Sequence, residues 1–166
     1  MQLQHALYSI EDGLAKITLN RPEARNALSE EMRADLDFII QDLKAKAGEE
    51  VKAVIITGAG NSFCAGGDVK AMNDPKRNDV VAGRARMRRS QTRLFEILHL
   101  ELPVIAAVNG HAAGAGFGLA LMADFIFASP STRFTCSFAR IGLIPDWGLL
   151  YTLPRAIGMQ KAKDIR

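Results

Sequence analysis

Residues 104–125, VIAAVNGHAAGAGFGLALMADF, decide the fold. Val104 to Val108 is an apolar, partly β-branched run of the kind that fills a buried strand. Asn109-Gly110 is a turn pair that ends it. Gly114-Ala115-Gly116 puts three small residues together, and Phe117 to Ala123 has helix-forming composition. Strand, glycine-rich turn and helix start in that order leave backbone N–H groups, and the positive end of a helix dipole, facing whatever lies above the turn. Side chains this small also let a ligand approach the main chain.

Three chemistries use such a turn. A dinucleotide site needs GxGxxG, but position 119 is Leu, and Asp124 comes too early to hold a ribose. A Walker loop needs Gly-Lys-Ser/Thr, and no Lys is present. The third is an oxyanion hole, in which main-chain N–H groups stabilise a developing negative charge. A close-packed strand–helix turn without a ligand explains the stretch equally well on its own.

Working upstream, Pro103 closes a helix that runs to about Leu100 and carries Arg84, Arg86, Arg88, Arg89 and Arg93. Met87, Leu94, Ile97 and Leu98 give that helix an apolar face, and no aromatic residues interleave the arginines. A solvated face is therefore expected rather than a nucleic-acid patch. Asn73 to Asp79, with Pro75, is expected as a mobile loop. Ala53 to Thr57 is a second buried strand, ended by Gly58-Ala59-Gly60. Cys64-Ala65-Gly66-Gly67-Asp68 follows, with Asp68 near the start of a short helix. Cys64 is expected as core filler, since no His stands near it to activate a thiol. Ser29 is a good N-cap for a helix whose Met32, Leu36, Ile39, Ile40 and Leu43 keep helical spacing up to Gly48. Asn20 to Leu28 is a loop interrupted by Pro22, and Leu3–Ile10 with Leu14–Asn20 form a hairpin around Glu11-Asp12-Gly13.

Downstream, Phe125–Ala128 and Arg133–Cys136 are strands. Residues 137–148 form a loop into a helix at Leu149–Leu153, and the chain stops inside a further helix. At 48% hydrophobic and 23% charged residues the composition is that of a folded domain. With 166 residues, one domain is expected. No apolar run reaches membrane-spanning length and no secretory signal is visible at the start. Cys64 and Cys136 are too few for a disulfide framework, and the three histidines lack ligand spacing, so no metal is expected. The net charge of +3 suits an anionic ligand without selecting one.

Ile105 to Phe125 closely resembles, position by position, the signature segment of the enoyl-CoA hydratase/isomerase (crotonase) family. Asn61 to Lys70, NSFCAGGDVK, resembles the family's second segment at the usual distance upstream. The resemblance runs from about Leu14 to the last residue. It implies an α/β crotonase-like (ClpP/crotonase) fold of repeated β-β-α units. Residues 1–166 would form one acyl-CoA-binding core domain, an N-terminal fragment of a longer family chain whose C-terminal helical part is missing. It also implies an acyl-CoA thioester as substrate, a homotrimer or dimer of trimers, and a cytoplasmic setting, with no nucleic-acid or membrane partner. No metal or redox cofactor is implied, because CoA enters as part of the substrate.

Site residues follow from the same resemblance. Gly67 and Ala115 stand at the family's oxyanion positions, Ala115 where Gly is more usual. Ala24 and Arg25 lie in the loop whose backbone meets CoA. Ala65, Gly66, Gly67, Asp68, Val69, Lys70, Gly114 and Ala115 complete the implied substrate-binding set. Hydratases of the family carry two glutamates, and here those positions read Gly118 and Phe138. One carboxylate remains in the right loop, Asp146 in Ile144-Pro145-Asp146-Trp147-Gly148, which resembles the isomerase branch, including phenylacetate-degradation isomerases. Its neighbours Leu143, Ile144 and Trp147 are apolar and would raise its pKa by desolvation. The expected function is thus an enoyl-CoA isomerase in which Asp146 moves a proton. A hydratase working through Asp146 alone and a non-catalytic acyl-CoA binder are the alternatives. Asp146 as a mere cap of the following helix also stays open.

Overall fold

The structure is a computed structural model that describes residues 2–72 and 79–165. The loop expected at Asn73–Asp79 therefore lies, except for Asp79, outside the described residues. Asp79 itself is the N-cap of the next helix, its carboxylate accepting from the N–H groups of Val81 and Ala82.

Two sheets share the work. The larger has the order β1-β2-β3-β5-β7, built from β1 (Ala6–Glu11), β2 (Leu14–Leu19), β3 (Ala53–Gly58), β5 (Val104–Val108) and β7 (Phe125–Ala128). Only β1 is antiparallel, paired with β2 through the Asp12-Gly13 turn; the others run parallel. The smaller sheet, β4-β6-β8, comprises β4 (Ser62–Cys64), β6 (His111–Ala113) and β8 (Phe134–Thr135). Each of β3, β5 and β7 turns sharply into its partner in the small sheet, and a helix then leads back. This is the repeated β-β-α unit of the crotonase fold. Asn109 locks two of these turns together, its side chain accepting from Gly58 N (3.2 Å) and donating to Gly60 O (2.9 Å).

Among the described residues there are six α-helices: α1 (Glu30–Lys46), α2 (Val69–Met72), α3 (Val80–Leu98), α4 (Ala115–Leu121), α5 (Leu149–Ile157) and α6 (Met159–Asp164). Ser29 caps α1, its hydroxyl accepting from Met32 N at 3.2 Å. The stripe Met32, Leu36, Ile39, Ile40 and Leu43 is fully buried, as its spacing requires. Phe63 is equally inaccessible and anchors the segment that follows it. Burial of such a side chain is worth roughly 1.5–3 kcal/mol.

The structure departs from the sequence reading in four places. His111–Ala113 is a short strand rather than part of a turn, because it pairs with both β4 and β8. Pro22–Ala24 and Ser137–Ile141 form 3₁₀ turns inside the expected loops. Helix α5 continues past Leu153 and carries Pro154 within it. Finally, α3 is not simply a solvated face. Arg93 is only 4% exposed and its guanidinium grips Asp37 of α1 in two hydrogen bonds of 2.5 and 2.6 Å. Among the described residues, no helix is long and apolar enough to cross a membrane, and no group of three or more His, Cys, Asp or Glu could hold a metal ion.

Candidate active site

Two loops meet because a third ties them down. Asn26, fully buried, donates from its amide to Ala59 O (2.9 Å) and Ser62 O (2.7 Å), and accepts from Arg21 N (2.9 Å). Arg25 and Asn26 both adopt left-handed backbone conformations, which Asn tolerates better than most residues. Ala65 N then donates to Arg25 O (2.9 Å) and Leu28 N to Gly66 O (2.8 Å). Arg21 spans the same gap, reaching Ala27 O and the Asp68 carboxylate at 3.2 and 3.1 Å. Burial alone would raise the Asp68 pKa. The Arg21 guanidinium, with the N–H groups of Ala71 and Lys70, outweighs that and holds the carboxyl below its ordinary value.

Segment 63–68 in turn packs onto the end of β6. Gly66 has φ +93°, and a Cβ there would stand 2.6 Å from Ala113 O and 3.1 Å from Ala115 N. Only glycine permits both that conformation and that approach. Ala115 is the first residue of α4, so its N–H has no partner within the helix. Gly67, Gly114, Ala115, Ala65 and Val69 line one cavity of about 630 Å³. Of the other expected residues, Gly66 supports the loop from behind and Asp68 is engaged with Arg21. Lys70 lies exposed on α2, Ala24 ends the 3₁₀ turn and Arg25 follows it. None of these five lines the cavity.

Asp146 lines the same cavity. Its Oδ1 is buried without a hydrogen-bond partner among the described residues. It does not cap α5: the N-cap is Gly148, no side chain caps the helix, and Leu149 N bonds instead to the main-chain oxygen of Asp146 (3.1 Å). Burial pushes the Asp146 pKa up, while the Arg33 charge and a bond from its own main chain pull it partly back. Arg33, from α1, is a cavity residue that the sequence did not single out. Its guanidinium stands 3.9 Å from where a Cβ on Gly67 would lie. The only sequence signal was a charged residue next to the buried stripe of α1.

The two positions where a second carboxylate was sought are closed. A Cβ on Gly118 already meets the Cβ and main-chain oxygen of Trp147 at 2.6 Å, and Phe138 is a buried aromatic wall of the cavity. Glu30 also lines the cavity, but its carboxylate is half exposed and 3.8 Å from Arg33. Cys64 is no nucleophile. It is fully buried, its thiol donates to Asn26 O (3.1 Å), and burial pushes its pKa up to about 12. Gly67 and Ala115, the two expected main-chain donors, thus line the same cavity as a desolvated carboxylate.

The family model for enoyl-CoA hydratase/isomerase matches residues 9–166. A Rhodobacter capsulatus protein named "Probable enoyl-CoA hydratase" is 42% identical over 155 residues, covering 93% of this chain and 58% of that protein. The 1,2-epoxyphenylacetyl-CoA isomerase of Escherichia coli is 37% identical over 164 residues, 98% of this chain and 62% of that one. The crystal structure of an enoyl-CoA hydratase from Bacillus anthracis superposes with a TM-score of 0.88 at 32% identity, over 98% of this chain and 62% of the other. The chain therefore spans about three fifths of the length of these relatives. With the match running through both site segments and the β-β-α repeat shared with solved relatives, this chain belongs to the enoyl-CoA hydratase/isomerase family.

Proposed function

We propose that the chain acts on an enoyl-CoA thioester as a double-bond isomerase. The thioester oxygen accepts from Gly67 N–H and Ala115 N–H. Asp146, as carboxylate, removes a proton from C2 of a 3-enoyl group, and the charge delocalises into a dienolate held by the two donors. The protonated Asp146 then returns that proton to C4, leaving the double bond between C2 and C3. Ala24, Arg25 and Lys70, outside the cavity, meet the CoA portion in this reading.

The observation that carries the proposal is that, among the described residues, Asp146 is the one desolvated carboxylate lining the cavity. Gly118 has no room for a side chain beside Trp147, and Phe138 puts a ring where hydration chemistry would want an acid. One base facing both carbons is enough for a proton shift. Adding water calls for a group to activate the water as well as one to protonate carbon. Hydration through Asp146 alone is the second reading, favoured by the hydratase names of most relatives. Incubating the chain with a 3-enoyl-CoA and, separately, a 2-enoyl-CoA tests both readings. Isomerised 2-enoyl product without 3-hydroxyacyl-CoA is the expected result. Hydration of the 2-enoyl ester with no isomerisation overturns it. Acyl-CoA binding without either product leaves a binder.

A further inference from the structure

We propose that Gly118 is a positioning residue: by receiving the backbone of Trp147 against a bare helix surface, it sets the distance between the turn that carries Asp146 and the donor at Ala115. The inference rests on Asp146 as the base. Ala115 and Gly118 are three residues apart on α4, which places them on the same face of the helix. Ala115 opens that helix beside Gly66, while Gly118 lies one turn further on, with its missing Cβ 2.6 Å from both Trp147 Cβ and Trp147 O. One short helix therefore touches both halves of the site.

The turn's other hydrogen bonds join it to the helix that follows, Gly148 O accepting from Tyr151 N (2.8 Å), Thr152 N (2.9 Å) and Thr152 Oγ1 (3.1 Å), and none of these reaches α4. Asp146 contributes the main-chain bond to Leu149 N (3.1 Å), and its Oδ1 is bonded to nothing described. Trp147 and Gly148 both take left-handed conformations, with φ +50° and +74°. Glycine adopts this freely, but a tryptophan held there needs its surroundings to enforce it. The enforcing contact is the close seat on Gly118, with the indole 5% exposed beneath the turn. A methyl group at 118 would strike backbone and Cβ atoms rather than the free end of a side chain, so the turn must move. A displacement of about 1 Å at a reacting group can cost on the order of a hundredfold in rate.

Trp147 is the only tryptophan in the chain, so the seat has its own spectroscopic probe. The test compares the parent with Gly118→Ala by indole emission, acrylamide quenching, kcat for 3-enoyl-CoA isomerisation and the dissociation constant of a saturated acyl-CoA. Asp146→Asn runs alongside. The expected result for Gly118→Ala is red-shifted, more quenchable emission, a kcat lowered roughly 10- to 100-fold, and acyl-CoA affinity within about twofold of the parent. Parental emission and quenching overturn the proposal. So does a shifted emission with parental kcat when Asp146→Asn is inactive, since the turn would then have moved without consequence. If Asp146→Asn keeps parental turnover, the assignment of the base fails instead, and the emission still reports on the seat. Should Gly118→Ala not fold, a nuclear Overhauser contact between Gly118 Hα and Trp147 Hβ in the parent decides. Its presence supports the seat and its absence overturns it.

Discussion

Loops 20–28 and 58–68, which present Gly67, are held by side-chain hydrogen bonds, whereas residues 137–148, which present Asp146, are held by main-chain turns and apolar contact. Asn26, Asn109 and the Arg21–Asp68 pair brace the first wall. The second has bonds such as Leu143 N to Phe138 O (3.0 Å), and its Leu143 and Ile144 stand in the open. In the proposed mechanism the difference matches what each wall supplies. A main-chain donor helps only if its direction is fixed before the charge develops. A carboxylate base needs a poorly hydrated setting, and apolar neighbours provide that without hydrogen bonds.

The largest effect should come from the loosely held wall. Asp146→Asn is expected to lower kcat by about 10²–10⁴-fold with acyl-CoA affinity nearly unchanged. The same change should not destabilise the protein. Because the native carboxyl has a raised pKa, its favourable contribution exists only below the unfolded value and is lost as pH rises through the native one. At neutral pH the variant should therefore melt at or above the parent temperature. Turnover and melting measured on one preparation check both halves.

On the braced wall, Gly67→Pro removes a donor and should cost about 10²–10³-fold in kcat. Gly67→Ala should be far milder, because the added methyl meets the Met72 terminal carbon at 2.6 Å, the free end of a flexible side chain, and the Arg33 guanidinium only at an ordinary 3.9 Å. Equal losses in the two variants would show that the site responds to bulk and not to the N–H. Breaking the brace itself separates stability from chemistry. Asn26→Ala leaves the buried acceptors Ala59 O and Ser62 O without their donor and should lower stability by about 2–3 kcal/mol. Urea unfolding measures that. An unchanged midpoint would mean that the braces are dispensable.

The pH dependence sharpens the contrast further. The acid limb of kcat/KM should lie above the ordinary aspartate value of about 3.9, since burial raises Asp146 and activity needs its ionised form. Arg33→Met should move that limb higher still, and an unmoved limb would remove Arg33 from the site's electrostatics. Asp68 should show the opposite sign in stability. Its depressed pKa gives stability that is present above the unfolded value and lost as pH falls through the native one. Asp68→Asn should thus lose about 0.5–1 kcal/mol at neutral pH, a difference that closes in acid. Melting curves at the two pH values provide the check.

Much of the fold was legible along the chain. The apolar runs at Ala53 and Val104, the capped stripe from Ser29 to Leu43 and the glycine turns specify strands, helix and connections by local chemistry, and the two family segments with the Ile144–Gly148 loop point to Gly67, Ala115 and Asp146 as site candidates. What the sequence could not show is how distant residues serve one another. Asn26 looks like any loop amide until its three partners are seen. Arg33 and Arg93 look alike as helix arginines and both line the cavity, yet Arg33 bears on the charge of Asp146 whereas Arg93 is buried on Asp37. Gly118 reads only as a missing acid, whereas in three dimensions it is the seat of Trp147. Periodicity and turn chemistry act over a few residues and leave a trace in the sequence. Desolvation, bracing and close approach depend on elements tens of residues apart, and the tertiary structure alone decided those.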